Sequence, residues 1–259
     1  RNPDNLVQLA QINQNVIGSK DGAAETALDN YKKALKNSPQ DPSIHYQIGQ
    51  IYLSMTDLEI MKANQAQGKQ VTSLPEKAKE NLALAKQSFE KAVELKSNYI
   101  PAQFMIAVVL QRQGEIDQAI AKLEESQKMN PRDTGISFQL GVLYFQTSKY
   151  EQARATLEST VKLAENYSNA MYFLGLTYDK LNDKQKALEQ FQKVSELNPD
   201  NADVKKIVSN LQAGKKALDG LEQSPAGQNP SGSSQNNEPS VQRDQQPVPP
   251  NTPIDNSQP

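Results

Sequence analysis

Two facts bear first on chemistry: this 259-residue chain carries one histidine, His45, and no cysteine. A single imidazole without thiols assembles neither a metal-ligand cluster nor a nucleophile–base pair. The carboxylates add little. Glu124-Glu125 and Glu76-Lys77 read as solvated helix charges. Glu90 and Glu94 share a helix face without the apolar setting that would tune a carboxyl for general acid work. Gly18-Ser19-Lys20-Asp21-Gly22 lacks the spacing of a phosphate loop and reads as a turn. No catalytic residue, cofactor or metal is therefore expected, and His45 is expected to pack against a neighbour.

The elements that would position any side chain announce themselves by repetition. Leu140, Gly141 and Tyr144 recur 34 residues later as Leu174, Gly175 and Tyr178. The same step carries Ala85 to Ala119, Ala153 and Ala187, and Phe89 to Leu123, Leu157 and Phe191. Each unit places two amphipathic stripes at helical spacing around one turn. Gly175 and Ala187 are small where paired helices would cross, and Pro199 fixes the turn into the next unit. Such a unit cannot bury its apolar face alone and must stack on its neighbours.

The order of a large residue, Leu-Gly, Tyr, then Ala, Phe, Ala or Val and Pro resembles the tetratricopeptide repeat over Leu6 to Asn201. The resemblance implies an all-α solenoid, a right-handed superhelix of antiparallel helix pairs. Five units are expected: 6–41, 42–99, 100–133, 134–167 and 168–201. In the fourth, Glu165 stands where the closing proline would be. The second spans 58 residues, one repeat plus 24. Its first stripe runs on through Met55, Leu58 and Met61 or Lys62, and its second begins early at Ala78 and Leu82. Shared between two helices, the surplus adds about 18 Å to each at 1.5 Å per residue. A projecting hairpin is expected, with Ser73-Leu74-Pro75-Glu76 as a capping box.

At the start, Asn2-Pro3-Asp4-Asn5 repeats the wording of Asn198-Pro199-Asp200-Asn201. Residues 1–5 are accordingly expected to close an upstream repeat, with Leu9, Ile12 and Val16 at packing positions of the first unit. On this reading the chain is the C-terminal part of a longer bacterial protein. Residues 202–219 are expected to form a capping helix with Val204, Ile207, Val208, Leu211 and Leu218 on one side. From 220 to 259 the chain has eight prolines and only four large aliphatics, which predicts a disordered tail rich in Pro, Gln, Asn and Ser.

A formal net charge of −2 argues against nucleic acid, which calls for a clustered basic surface. No run of 18 apolar residues is present to insert directly into a membrane, while attachment through upstream residues stays open. The compartment stays open as well.

The resemblance also implies where binding occurs: the first helix of each unit lines a concave groove through its second, fifth, ninth and twelfth residues. Here these include Tyr46, Phe104, Phe138 and Tyr172 at the fifth position and Gln50, Val108, Val142 and Leu176 at the ninth. Phe145 falls at the twelfth. The Lys and Asn with which the family clamps a C-terminal carboxylate are absent from these positions. The face is apolar, aromatic and nearly uncharged. Two readings of it stay open, packing between first helices and a groove for a partner. The function expected is a protein-interaction scaffold taking an apolar or amphipathic polypeptide segment. The alternative is the C-terminal repeat domain of a membrane-embedded bacterial envelope enzyme resembling O-antigen ligases.

Overall fold

The computed structural model describes residues 3–221, and among them eleven α-helices and no strand are found. The helices are α1 (Pro3–Gln14), α2 (Ala23–Asn37), α3 (Pro42–Gln67), α4 (Glu76–Leu95), α5 (Ile100–Arg112) and α6 (Ile116–Met129). They continue as α7 (Thr134–Gln146), α8 (Tyr150–Leu163), α9 (Ser168–Lys180), α10 (Lys184–Leu197) and α11 (Ala202–Gln212). Each odd helix packs on the even helix that follows it, and each even helix on the next odd one. That nearest-neighbour pattern makes a solenoid of helix pairs.

Sequence explains both the starts and the turns. Asp41, Asp133, Asp183 and Asn201 cap α3, α7, α10 and α11 by accepting a backbone N–H from the first turn of the helix. Three-residue turns join α5 to α6, α7 to α8 and α9 to α10. Each contains one left-handed residue at the same place in the repeat: Gly114, Ser148 or Asn182. Inside each pair the small residue of the first helix meets the large one of the second. A Cβ on Gly49 would lie 2.5 Å from Phe89, on Gly141 2.7 Å from Leu157, and on Gly175 2.7 Å from Phe191. Phe89, Leu157 and Phe191 are themselves fully buried, so the glycines set the spacing of the pairs.

The surplus in the second unit is helical on both arms. α3 runs 26 residues and α4 runs 20, against 11 to 15 for the others, and they meet along their length. In the intervening turn, Val71 donates its N–H to Asn64 Oδ1 at 2.7 Å. The capping box is not formed: Pro75 stands at the N-cap of α4 without a side-chain bond. Proline already fixes the backbone angle that a box would otherwise enforce.

The first unit differs from expectation. Pro3 to Asn5 belong to α1 itself, whose buried residues are Leu6 and Ala10. Leu9 is 39% exposed and Ile12 61%. The connection from α1 to α2 is eight residues long, 15–22, where equivalent turns need three, and this rotates the apolar stripe relative to the alignment. Gly18 in that connection rests near Leu58 of the extended α3, at 3.7 Å from an added Cβ.

The capping helix is also shorter than expected. It ends at Gln212, and Gly214 at φ +73° turns the chain back. Ala217 is then fully buried, and Leu218 and Leu221 pack against the main core. The expected disordered tail lies outside the described residues from 222 onwards, whereas Gly220 and Leu221 belong to the folded end. Two cores result. One joins α1, α2 and the start of α3, the other runs from Leu53 to Ala217, and α3 contributes to both.

Candidate functional site

The candidate site is the face formed by α3, α5, α7, α9 and α11. Tyr46, Phe104, Phe138, Phe145 and Tyr172 are all half-buried there, with Gln50 and Val108 between them. Val142 and Leu176, at 6% exposure each, form its floor. The aromatic rings pack on one another. Phe138 lies 4.9 Å from Tyr167 and 5.9 Å from Phe173 between centroids. Phe145 stands edge-on to Phe173 and Tyr150, and Tyr172 to Phe191. Tyr46 tilts over Phe89 at 5.6 Å. These half-buried rings therefore give part of their surface to neighbours in the same or the next unit and keep another part accessible.

Phe173 is the member that the sequence left unnamed. It joins Phe138, Phe145 and Tyr172, although it sits at the sixth position of α9 rather than the fifth. Its signal was the 35-residue step from Phe138, one more than the repeat.

Polar contacts on this face come chiefly from amides. Gln139 donates to Gln111 at 2.6 Å, Gln111 to Gln146 at 3.4 Å, and Gln50 to the Tyr46 hydroxyl at 3.0 Å. The two bonds of Gln111 tie α5 to α7, and that of Gln50 lies within α3, all without a charge. Primary amides both donate and accept, so they suit the backbone of an extended polypeptide.

At its C-terminal end the face is already in contact with backbone. Asn210, the ninth residue of α11, is 3% exposed and donates from Nδ2 to the carbonyls of Ala217 at 3.0 Å and Asp219 at 2.7 Å. Asp179, the twelfth residue of α9, accepts the N–H of Ala217 at 3.1 Å. Lys184 donates to the carbonyl of Gly214. Asp179 Oδ1 is buried without a donor among the described residues.

His45 lies away from these contacts, in a surface hollow with Gln87, Ser88, Glu90, Lys91 and Glu94 of α4. Burial lowers its pKa, against an opposing hydrogen bond to the Pro39 backbone. Glu124 is more than a solvated charge, since it accepts from the Tyr144 hydroxyl at 2.5 Å. One repeat later Glu158 accepts from Tyr178 at 2.7 Å. Burial first, and then the carboxylate, raise the pKa of both phenols. These pairs lock the second helix of one unit to the first helix of the next.

Among the described residues no group of three or more His, Cys, Asp or Glu side chains could hold a metal ion. Among the same residues no helix is long and apolar enough to cross a membrane.

Comparison with known proteins agrees with this geometry. A family model for the tetratricopeptide repeat matches residues 133–200. A second model, for Regulator of microtubule dynamics protein 1-3, matches residues 21–135. No curated protein matches. Among solved structures, pilF of Pseudomonas aeruginosa is 16% identical, covering 83% of this chain and 90% of its own, with a TM-score of 0.60. MamA of Desulfovibrio magneticus RS-1 is 22% identical over 76% of this chain and 97% of its own, at 0.55. YrrB, described as a tetratricopeptide protein with an unusual peptide-binding site, is 22% identical over 76% and 86%, at 0.53. At these identities the likeness is one of fold.

Proposed function

We propose that this chain, whose residues 133–200 match the tetratricopeptide-repeat model and whose fold is that of such repeat proteins, is a protein-interaction scaffold. Its concave face takes an apolar or amphipathic polypeptide segment, over Tyr46, Gln50, Phe104, Val108, Phe138, Val142, Phe145, Tyr172 and Leu176. The observation that carries this reading is the row of half-buried rings and aliphatics bordered by amides rather than charges. Apolar side chains of a partner would gain about 25 cal/mol for each Å² they bury there. The glutamines would meet its backbone, and specificity would follow from which pockets the partner's side chains fill. YrrB, a structure of the same fold, has a peptide-binding site, which supports the general mode and leaves the ligand to this chain's own surface. The match to the microtubule-regulator model covers α2 to α6 and gives no reason to assign a microtubule partner to the groove.

A selection of random displayed peptides against the chain tests the proposal. Bound sequences should be rich in apolar and aromatic residues. Val108→Asp places a charge in the groove without truncating a ring, and should weaken a selected peptide at least tenfold, about 1.4 kcal/mol. Its melting temperature should stay close to that of the parent. The reading fails if no peptide is selected, or if those selected bind Val108→Asp unchanged.

A further inference from the structure

The groove of an isolated repeat array is usually imagined as empty, yet here one end of it is in use. Asn210 and Asp179 stand at positions of the first helices that face the concave side, and together they hold the backbone of Ala217 and Asp219 by three hydrogen bonds. The stretch they hold is a turn, in which Asp219 donates its N–H to the Lys216 carbonyl and Leu221 to that of Leu218. The chain from Gly214 to Leu221 is thus anchored at the C-terminal end of the concave face. Ala217 is sealed from solvent, and Leu218 and Leu221 lie against the main core.

Thirty-eight residues, 222–259, follow Leu221. The chain is delivered to the groove end before they begin. Within them the stretch 245–254, Gln-Gln-Pro-Val-Pro-Pro-Asn-Thr-Pro-Ile, contains no charged residue and two of the three large aliphatics after Leu221. The groove positions of α5 and α7 are uncharged in the same way. Proline-rich segments recognise aromatic-lined grooves, where ring faces meet pyrrolidines and little entropy is lost. The distance allows it. Neighbouring helices lie 8–10 Å apart, so three units from α11 back to α5 amount to about 30 Å. The 25 residues before Pro247 span at most about 85 Å when extended.

We propose that residues 245–254 of the chain's own C-terminal segment occupy the concave face over Phe104, Val108, Phe138 and Phe145, as an intramolecular competitor of the partner. The proposal rests on the peptide-binding reading of the same face. Tethering supplies the segment at an effective concentration on the order of millimolar, so even a weak docking site is filled until a tighter ligand displaces it.

The absence of cysteine permits a direct test on the full chain. A nitroxide on Asn251→Cys should broaden the amide resonances of Val108, Phe138 and Val142, with recovery on reduction of the label. Lys86, Glu90 and Lys122, on the second helices, should be spared. Adding Val248→Asp and Ile254→Asp to the labelled chain should abolish the broadening and strengthen binding of a selected peptide. Broadening that is absent, or equal on both faces, overturns the proposal. If peptides are nevertheless selected in that case, the groove reading stands alone. Groove-specific broadening with no selectable peptide would instead support the tail and remove the general scaffold.

Discussion

Ser148 holds a left-handed backbone, φ 59°, at the turn position where Gly114 has φ 82° and Asn182 φ 62°. For a residue with a Cβ that conformation costs roughly 1–2 kcal/mol, and glycine avoids it at the expense of more unfolded-state entropy. Ser148→Gly is therefore expected to stabilise the array by about 0.5 kcal/mol, seen as a raised denaturant midpoint with an unchanged slope. A fall in midpoint would show that the serine hydroxyl, 3.2 Å from Tyr150, outweighs the backbone. Tyr144 and Tyr178 carry a pH prediction. Their phenol pKa values are raised by burial and by Glu124 and Glu158, and burial raises that of Tyr31 to about 12. A raised pKa in the fold contributes stability below the unfolded value of about 10. That contribution is lost as pH climbs through the folded value. Melting temperature should thus fall above pH 10, and Tyr144→Phe with Tyr178→Phe should flatten that limb. Below it the two variants should each cost about 1 kcal/mol from the missing hydrogen bond. An identical alkaline slope in the double variant would remove these tyrosines from the argument.

The hairpin of α3 and α4 is the element whose length departs from the repeat. Its two arms pack mainly on each other: Thr56, Ala78, Asn81 and Leu82 are buried, while Met61 is 45% exposed. A projecting pair should be held by the stack at its base and loosen toward its tip. Native-state hydrogen exchange should protect α3 to about Met61 and α4 from about Glu80, grade upward beyond them and be fastest at 68–75. Uniformly fast exchange from Thr56 onwards would leave the hairpin marginal without a partner. Arg112 reaches back from α5 to Asp57 at 2.6 Å. The pair is substantially exposed, so Arg112→Ala is expected to shift stability by less than about 1 kcal/mol.

At the scale of the molecule, a stack with nearest-neighbour contacts is no stronger at an end than its single interface allows. α1 leaves Leu9 and Ile12 largely in solvent, and the first core contains fewer large buried side chains than the second. The opening free energy of α1 and α2 is expected to lie below that of α7 to α9, measured by exchange at increasing denaturant. A single common value would mean that α3, which contributes to both cores, couples the whole array. The opposite end is protected by its own chain. Asn210→Ala should free the stretch 215–221 and raise its exchange while α7 to α9 keep theirs.

Helical spacing and the 34-residue step were legible because each depends on local periodicity. Leu140, Gly141, Tyr144, Ala153 and Leu157 pack as their types require, and the extended stripes of the second unit lie on longer helices. The first unit was misread for the same reason: the Asn-Pro-Asp-Asn wording fits a turn or a helix start, and the eight-residue connection after Gln14 decides which face of α1 is buried. The last helix ends at Gln212, inside the 202–219 span expected for it, and where the chain goes after Gly214 was not legible. That Asn210 and Asp179 hold the returning backbone, and that Phe173 joins three neighbouring rings, depends on contacts between helices distant in sequence. Periodicity specifies which side of a helix turns inward, because the apolar surface must leave water. Which residues of neighbouring units then meet across the concave face is set by how the units stack, and only the tertiary structure determines that.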